Sequence, residues 1–185
     1  MTTKTRVSLE EFLAMPETKP YRELIDGEVV EKAMPAPMHS RLVPRIASQL
    51  VVHLDATGEA DVDSELRHAD VDHEWVFLPD ISVTKRGRRA APADEPRGPV
   101  QVMPDFAIEV LSPDDEPGRL TRRVSYYLRS GLTLIWIVDP KDESVTVFER
   151  GAEPRVVRAP EPLSASPVLD GFSLDLARLF ASLHQ

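Results

Sequence analysis

The chain has 185 residues and a net charge of −9, with 42% hydrophobic and 29% charged residues. These proportions exclude a disordered chain and predict one folded domain over residues 1–185. No cysteine is present, which excludes disulfides, thiolate metal sites and a cysteine nucleophile, and fits a cytoplasmic protein. The longest apolar run, Leu132 to Val138, is far short of the roughly 20 residues that span a bilayer, and Met1 to Glu11 carries no apolar signal core.

In chain order, Ser8 and Glu11 form a capping-box pair that opens a short helix running into Met15, and Pro16 to Pro20 ends it. Asp26-Gly27, between Leu24-Ile25 and Val29-Val30, predicts a two-residue hairpin turn within Glu23 to Glu31. Leu42, Val43, Ile46, Leu50 and Leu54 recur at helical spacing up to Gly58. Pro44 then requires that this helix begin near Ser40, because deeper inside it would remove a hydrogen bond. Asp61 to Arg67 and Trp75 to Thr84 read as strands, Ala90 to Pro99 as a Pro-rich connection, and Phe106 to Leu111 as a central strand buried on both faces. Arg119 to Gly131 is a helix closed by glycine, and Leu132 to Val138 a second buried strand. Val145 to Glu149 and Val156 to Arg158 read as edge strands, and Leu174 to Leu183 as a closing helix. The class is α/β, a mixed sheet flanked by helices.

Two acids lie inside apolar strands, Asp80 and Glu109. Burying a carboxylate costs several kcal/mol unless a charge partner, a hydrogen-bond network or a metal compensates it. An arginine partner accounts for either acid alone, whereas two such acids on neighbouring strands favour a shared cation. Asp105 and Glu109 share a strand face but lie about 13 Å apart at about 3.3 Å per residue, too far for one ion. Asp80 and Glu109 can meet if their strands pair, because opposed Cβ atoms are about 4.5–5.5 Å apart. Asp105 is then a strand-end or turn residue.

The acidic net charge argues against a dedicated nucleic-acid binder, yet phosphate contacts act within about 8–10 Å, so local clusters outweigh the average. One cluster is Lys85, Arg86, Arg88 and Arg89, and another is Arg119, Arg122, Arg123 and Arg129. Taken from Leu120 at about 100° per residue, Arg123 borders the apolar face and can reach the sheet, while Arg122 and Arg129 point away, to solvent or to a phosphate backbone. His39, on the apolar stripe of its helix, can bond a metal-ligating acid or simply pack and cap. His68, Asp70, Asp72 and His73 fit neither a zinc nor a calcium spacing and read as a polar hairpin tip. Ser112 has neither a nearby histidine nor a nucleophile elbow. Trp75, Trp136 and Phe148 read as core.

Glu23 to Glu28, His39-Ser40, Pro79-Asp80, Pro104-Asp105 through Glu109 to Pro113, and Tyr127 with Gly131 and Trp136 to Pro140 occur in an order that resembles the Uma-type restriction endonucleases. These belong to the PD-(D/E)XK nuclease superfamily. The resemblance implies a restriction-endonuclease-like fold and hydrolysis of DNA phosphodiesters by water activated on Mg²⁺, for which Mn²⁺ can substitute. It makes Asp80 and Glu109 catalytic metal ligands, with the Val110 carbonyl as a third, and Glu23, Glu28 and His39 accessory groups. Arg119, Arg122, Arg129, Lys85 and Arg86 would contact nucleic acid, and by analogy with restriction enzymes a homodimer would cut both strands. The motif lysine is absent: position 111 is Leu111, and the following helix, where the family places its lysine, carries Arg123. Arginine stays protonated and cannot act as a general base, but it can clamp a phosphate. The rival expectation is a catalytically impaired module that keeps the fold and binds nucleic acid or a protein partner.

Overall fold

The computed structural model describes residues 6–89, 98–113, 115 and 117–184, for residue 117 the backbone alone. The Pro-rich connection expected at Ala90 to Pro99 lies, up to residue 97, outside the described residues. Helix α1 (Leu9–Leu13) carries the expected capping box, with Ser8 and Glu11 bonding each other's backbone. Strands β1 (Arg22–Ile25) and β2 (Glu28–Glu31) pair from Ile25 opposite Glu28 to Arg22 opposite Glu31. Asp26 and Gly27 both take positive φ, 51° and 74°, the primed turn that matches strand twist. A Cβ at Gly27 would also stand 2.8 Å from that of Arg6.

Helix α2 (Pro37–Thr57) begins three residues earlier than Pro44 appeared to demand. Ala36 caps it without a side-chain bond, and Pro44 sits well inside it. Pro44 and Ser40, whose carbonyl loses its partner, are both exposed, so water can satisfy that carbonyl. The packing of Leu42, Ile46, Leu50 and Leu54 holds the helix through the missing bond.

Beyond α2 run β3 (Ala60–Ser64), β4 (His68–Asp70), β5 (Trp75–Phe77), β6 (Ile81–Lys85), β7 (Phe106–Val110), α3 (Pro117–Arg129), β8 (Leu134–Asp139), β9 (Ser144–Glu149), β10 (Arg155–Arg158), β11 (Leu163–Ser164), β12 (Ser173–Leu174) and α4 (Leu176–Ala181). A six-stranded sheet has the order β10-β9-β8-β7-β6-β3, with β7 and β8 parallel across the α3 crossover and every other pair antiparallel. A second sheet, β2-β1-β5-β4, is entirely antiparallel.

The fold class stands, and four further details differ from the sequence reading. The run from Trp75 to Thr84 divides into β5 and β6, which enter different sheets. Pro79 has no amide to donate, and the Leu78 amide donates to Glu23 Oε1 at 2.8 Å instead of to a ladder. Strand β3 stops at Ser64 because Glu65 turns to φ 52°. Strand β9 is interior, covered by β10. The closing helix is shorter, since Ser173 and Leu174 pair with β11.

The face of the large sheet bearing Ile81, Val83, Phe106, Ile108 and Val110 packs on α2 and the C-terminal segment. The opposite face, with Ala107, Ile135 and Ile137, packs on Val124 and Tyr127 of α3 and on Trp75 and Phe77 of the small sheet. Strand alternation puts Asp80 and Glu109 on this second face. Trp75 and Trp136 are buried and Phe148 packs against the core, as expected.

Candidate active site

Strands β6 and β7 pair with Ile81 opposite Ile108, and one step further the same antiparallel register sets Asp80 against Glu109. Both residues are buried, at 3% and 4% exposure. Each commits one oxygen to the protein and turns the other toward a common point. Asp80 Oδ2 accepts the Val110 amide at 2.7 Å and meets His39 Nε2 at 2.9 Å. Glu109 Oε1 accepts the Tyr127 hydroxyl at 2.5 Å and an Arg123 nitrogen at 3.2 Å. The remaining oxygens, Asp80 Oδ1 and Glu109 Oε2, lie 2.7 Å and 3.7 Å from the Lys32 ammonium.

Sequence reasoning passed over Lys32, although a signal for it existed. The Asp26-Gly27 turn fixes the hairpin register, and one more pair, Lys32 N–H to Tyr21 O at 2.8 Å, puts Lys32 on the face that carries Glu23. Its ammonium also donates to the Leu78 carbonyl at 2.6 Å. Glu23 is fully buried, accepting from Leu78 and ion-paired through Oε2 with Arg123. Arg123 therefore reaches the sheet, as its helical phase predicted, and bridges Glu23 to Glu109. The tyrosine hydroxyl was hidden because Tyr127 reads as one more apolar position of α3.

The electrostatics follow from this arrangement. Burial opposes ionisation of Asp80, but Lys32 and His39 outweigh it and hold its carboxyl well below the usual range. Glu109 is pushed up, because burial together with Asp80 and Glu23 outweighs Lys32 and Arg123. Burial disfavours the Lys32 ammonium, yet Glu109, Asp80 and Glu23 hold its pKa above the ordinary value.

The donor set suits a hard divalent cation: two carboxylate oxygens aimed at one point in a small cleft also lined by Val110. The ammonium of Lys32 already stands there as a cation. Among the described residues no group of three or more acids or imidazoles gathers to hold a metal, so carbonyl and water oxygens would complete the shell.

The other expected residues divide. Arg119 lines the cleft at the carboxylates, and with Arg122, Arg123, Arg6, Tyr126 and Glu28 it also lines a groove of about 420 Å³ between the hairpin and α3. Glu28 thus faces the groove and not the carboxylates. Arg129 is exposed, but its guanidinium stacks over Trp75 at 4.8 Å. Lys85 and Arg86 lie at the far end of β6 from Asp80, and Arg86, Arg88 and Arg89 pair with Asp61, Asp105 and Asp63. Asp105 is the strand-end residue expected, also accepting the Lys85 amide at 2.8 Å. Asp70 and His73 pair at the β4–β5 tip. His68 belongs elsewhere: it is fully buried, bonding Val102 O at 2.7 Å and Ser82 Oγ at 2.9 Å.

The sequence pattern of the Uma2 family, described as "Putative restriction endonuclease", matches residues 9–177. The chain belongs to the Uma2 family. It is similar to the crystal structure of a "putative nuclease belonging to DUF820" from Anabaena variabilis, with 28% identity, a TM-score of 0.85, and coverage of 96% of this chain and 99% of that one. Comparison with curated proteins gives no match. Among the described residues no helix of this Uma2 protein is long and apolar enough to cross a membrane.

Proposed function

We propose that this Uma2 protein is a Mg²⁺-dependent endonuclease that hydrolyses phosphodiester bonds of DNA. One observation carries the reading: two buried carboxylates from adjacent strands turn one oxygen each onto a single cation, beside an arginine-lined groove. Asp80 Oδ1, Glu109 Oε2 and the Val110 carbonyl would hold the metal, with Mn²⁺ an acceptable substitute. The bound ion supplies an acidified water and positive charge against the scissile phosphate. Arg123 holds Glu109 Oε1 and keeps the other oxygen on target. Its second pairing, with Glu23, ties that geometry to the hairpin. Arg119 and Arg122 line the path for the flanking phosphates, and His39 fixes Asp80 from α2. The family assignment and the Anabaena structure support a nuclease.

The test is plasmid cleavage with Mg²⁺. Removing one charged ligand in Glu109→Gln should lower the rate at least about 100-fold, the scale seen when a group that stabilises the transition state is deleted. Unchanged cleavage would remove the assigned centre. The second reading, a module that binds nucleic acid or a protein without turnover, is favoured by Arg123 standing where the family carries lysine. No calorimetric binding of Mg²⁺ or Mn²⁺ at millimolar concentration would select it.

A further inference from the structure

The cation on Asp80 and Glu109 is the chain's own. Lys32 Nζ is 2.7 Å from Asp80 Oδ1, 3.7 Å from Glu109 Oε2 and 2.6 Å from the Leu78 carbonyl, with its side chain 14% exposed. The two oxygens it meets are those that no other described donor engages. The cleft beside it is lined by Asp80, Glu109, His39 and Arg119, and the point where the two free oxygens converge is taken by the ammonium. Charge points the same way. Glu23, Asp80 and Glu109 are set against Lys32 and Arg123, so the cluster is already nearly balanced, and a divalent ion added with Lys32 in place would face a like charge at contact distance.

We propose that Lys32 competes with the divalent cation for the Asp80–Glu109 pair, so that its ammonium must leave before the ion binds. The proposal rests on the metal-dependent reading above and deepens it, naming the residue that sets the affinity for the ion. The backbone of Lys32 is fixed by its bond to Tyr21, so displacement is a swing of the four-carbon stem toward the mouth of the same cleft. There the freed ammonium joins Arg119, and the loaded site turns from balanced to net positive. A site of that sign draws in a phosphodiester only after the metal has arrived.

The experiment is a calorimetric titration of the full chain with Mn²⁺ at neutral pH, comparing wild type with Lys32→Met, Lys32→Gln and Arg119→Gln. If the competent arrangement is populated one-tenth of the time or less, removing Lys32 tightens binding at least about tenfold. Lys32→Gln keeps a donor for the Leu78 carbonyl and gives a folded variant should Lys32→Met fail. Arg119→Gln removes a charge from the same cleft without vacating the cation position, and should shift affinity less than about twofold on this competition argument. Tightening confined to the Lys32 variants, including binding that appears only in them, supports the competition. Affinity unchanged or weakened in the Lys32 variants overturns it and leaves the metal reading intact. Equal tightening in Arg119→Gln overturns it in favour of a general charge effect. No binding in any of the four proteins overturns the metal reading and the competition with it.

Discussion

Tyr127→Phe isolates one hydrogen bond at the centre of the site. The Tyr127 hydroxyl donates to Glu109 Oε1 at 2.5 Å from a fully buried ring. Phenylalanine keeps the ring and its edge-on contact with Phe77, centroids 5.0 Å apart, so no cavity opens. What is lost is a bond to a charged acceptor, worth about 1.5–3 kcal/mol. At about 2–4 °C per kcal/mol for a chain of this size, the melting temperature should fall by about 3–12 °C. Glu109 Oε1 would retain Arg123 alone, and loss of a positioning partner typically costs about 10–100-fold in metal affinity. Calorimetric melting reads the first quantity and Mn²⁺ titration the second. A melting temperature within about 2 °C of wild type would show that the bond contributes less than the 1.5 kcal/mol expected of a charged acceptor. Unchanged Mn²⁺ affinity would show that Tyr127 does not aim Glu109.

Three further outcomes are expected. Burial holds His68 neutral, its pKa lowered to about 4 from 6.5. The unfolded chain therefore binds more protons between these values: stability is fully present above about pH 6.5 and drains as pH falls toward 4, by about 3 kcal/mol at 1.36 kcal/mol per unit. Urea unfolding at pH 7 and pH 4.5 should show a smaller pH dependence in His68→Asn, and an identical dependence would refute the assignment. Arg123→Lys should destabilise by about 1–3 kcal/mol, because one ammonium cannot span two carboxylates as a guanidinium does. It should bring no gain in cleavage, and faster Mg²⁺-dependent cleavage would mean that lysine was the missing element. Arg122→Gln should leave melting unchanged, weaken DNA binding evenly across sequences and lower the salt slope by about 1; an unaltered slope would take Arg122 out of the phosphate path.

What could be read ahead of the structure was whatever depends on local chemistry. The Asp26-Gly27 turn, the Ser8–Glu11 box and the phase of Arg123 on α3 are set by a few neighbouring residues, and each appears as expected. The meeting of Asp80 and Glu109 required only that two strands pair. Pro79 signals a break in the run from Trp75 to Thr84, since it cannot donate to a ladder, but that the two halves enter different sheets is decided only by tertiary pairing. Tyr127 was not visible as a site residue, because it carries a polar tip on an apolar helix position, whereas Lys32 is legible in the hairpin register, one pair beyond Glu31. The ion pairs of Arg86, Arg88 and Arg89 were not legible for the converse reason, since their acids come from β3 and from the turn before β7.

The parting of β5 from β6 leaves Leu78 outside any ladder, and both its backbone groups are put to use, the amide by Glu23 and the carbonyl by Lys32. A residue with no reactive side chain thus ties the hairpin to the segment that joins the two sheets. A substitution at Pro79 that moves Leu78 should therefore disturb Lys32 and Glu23 together.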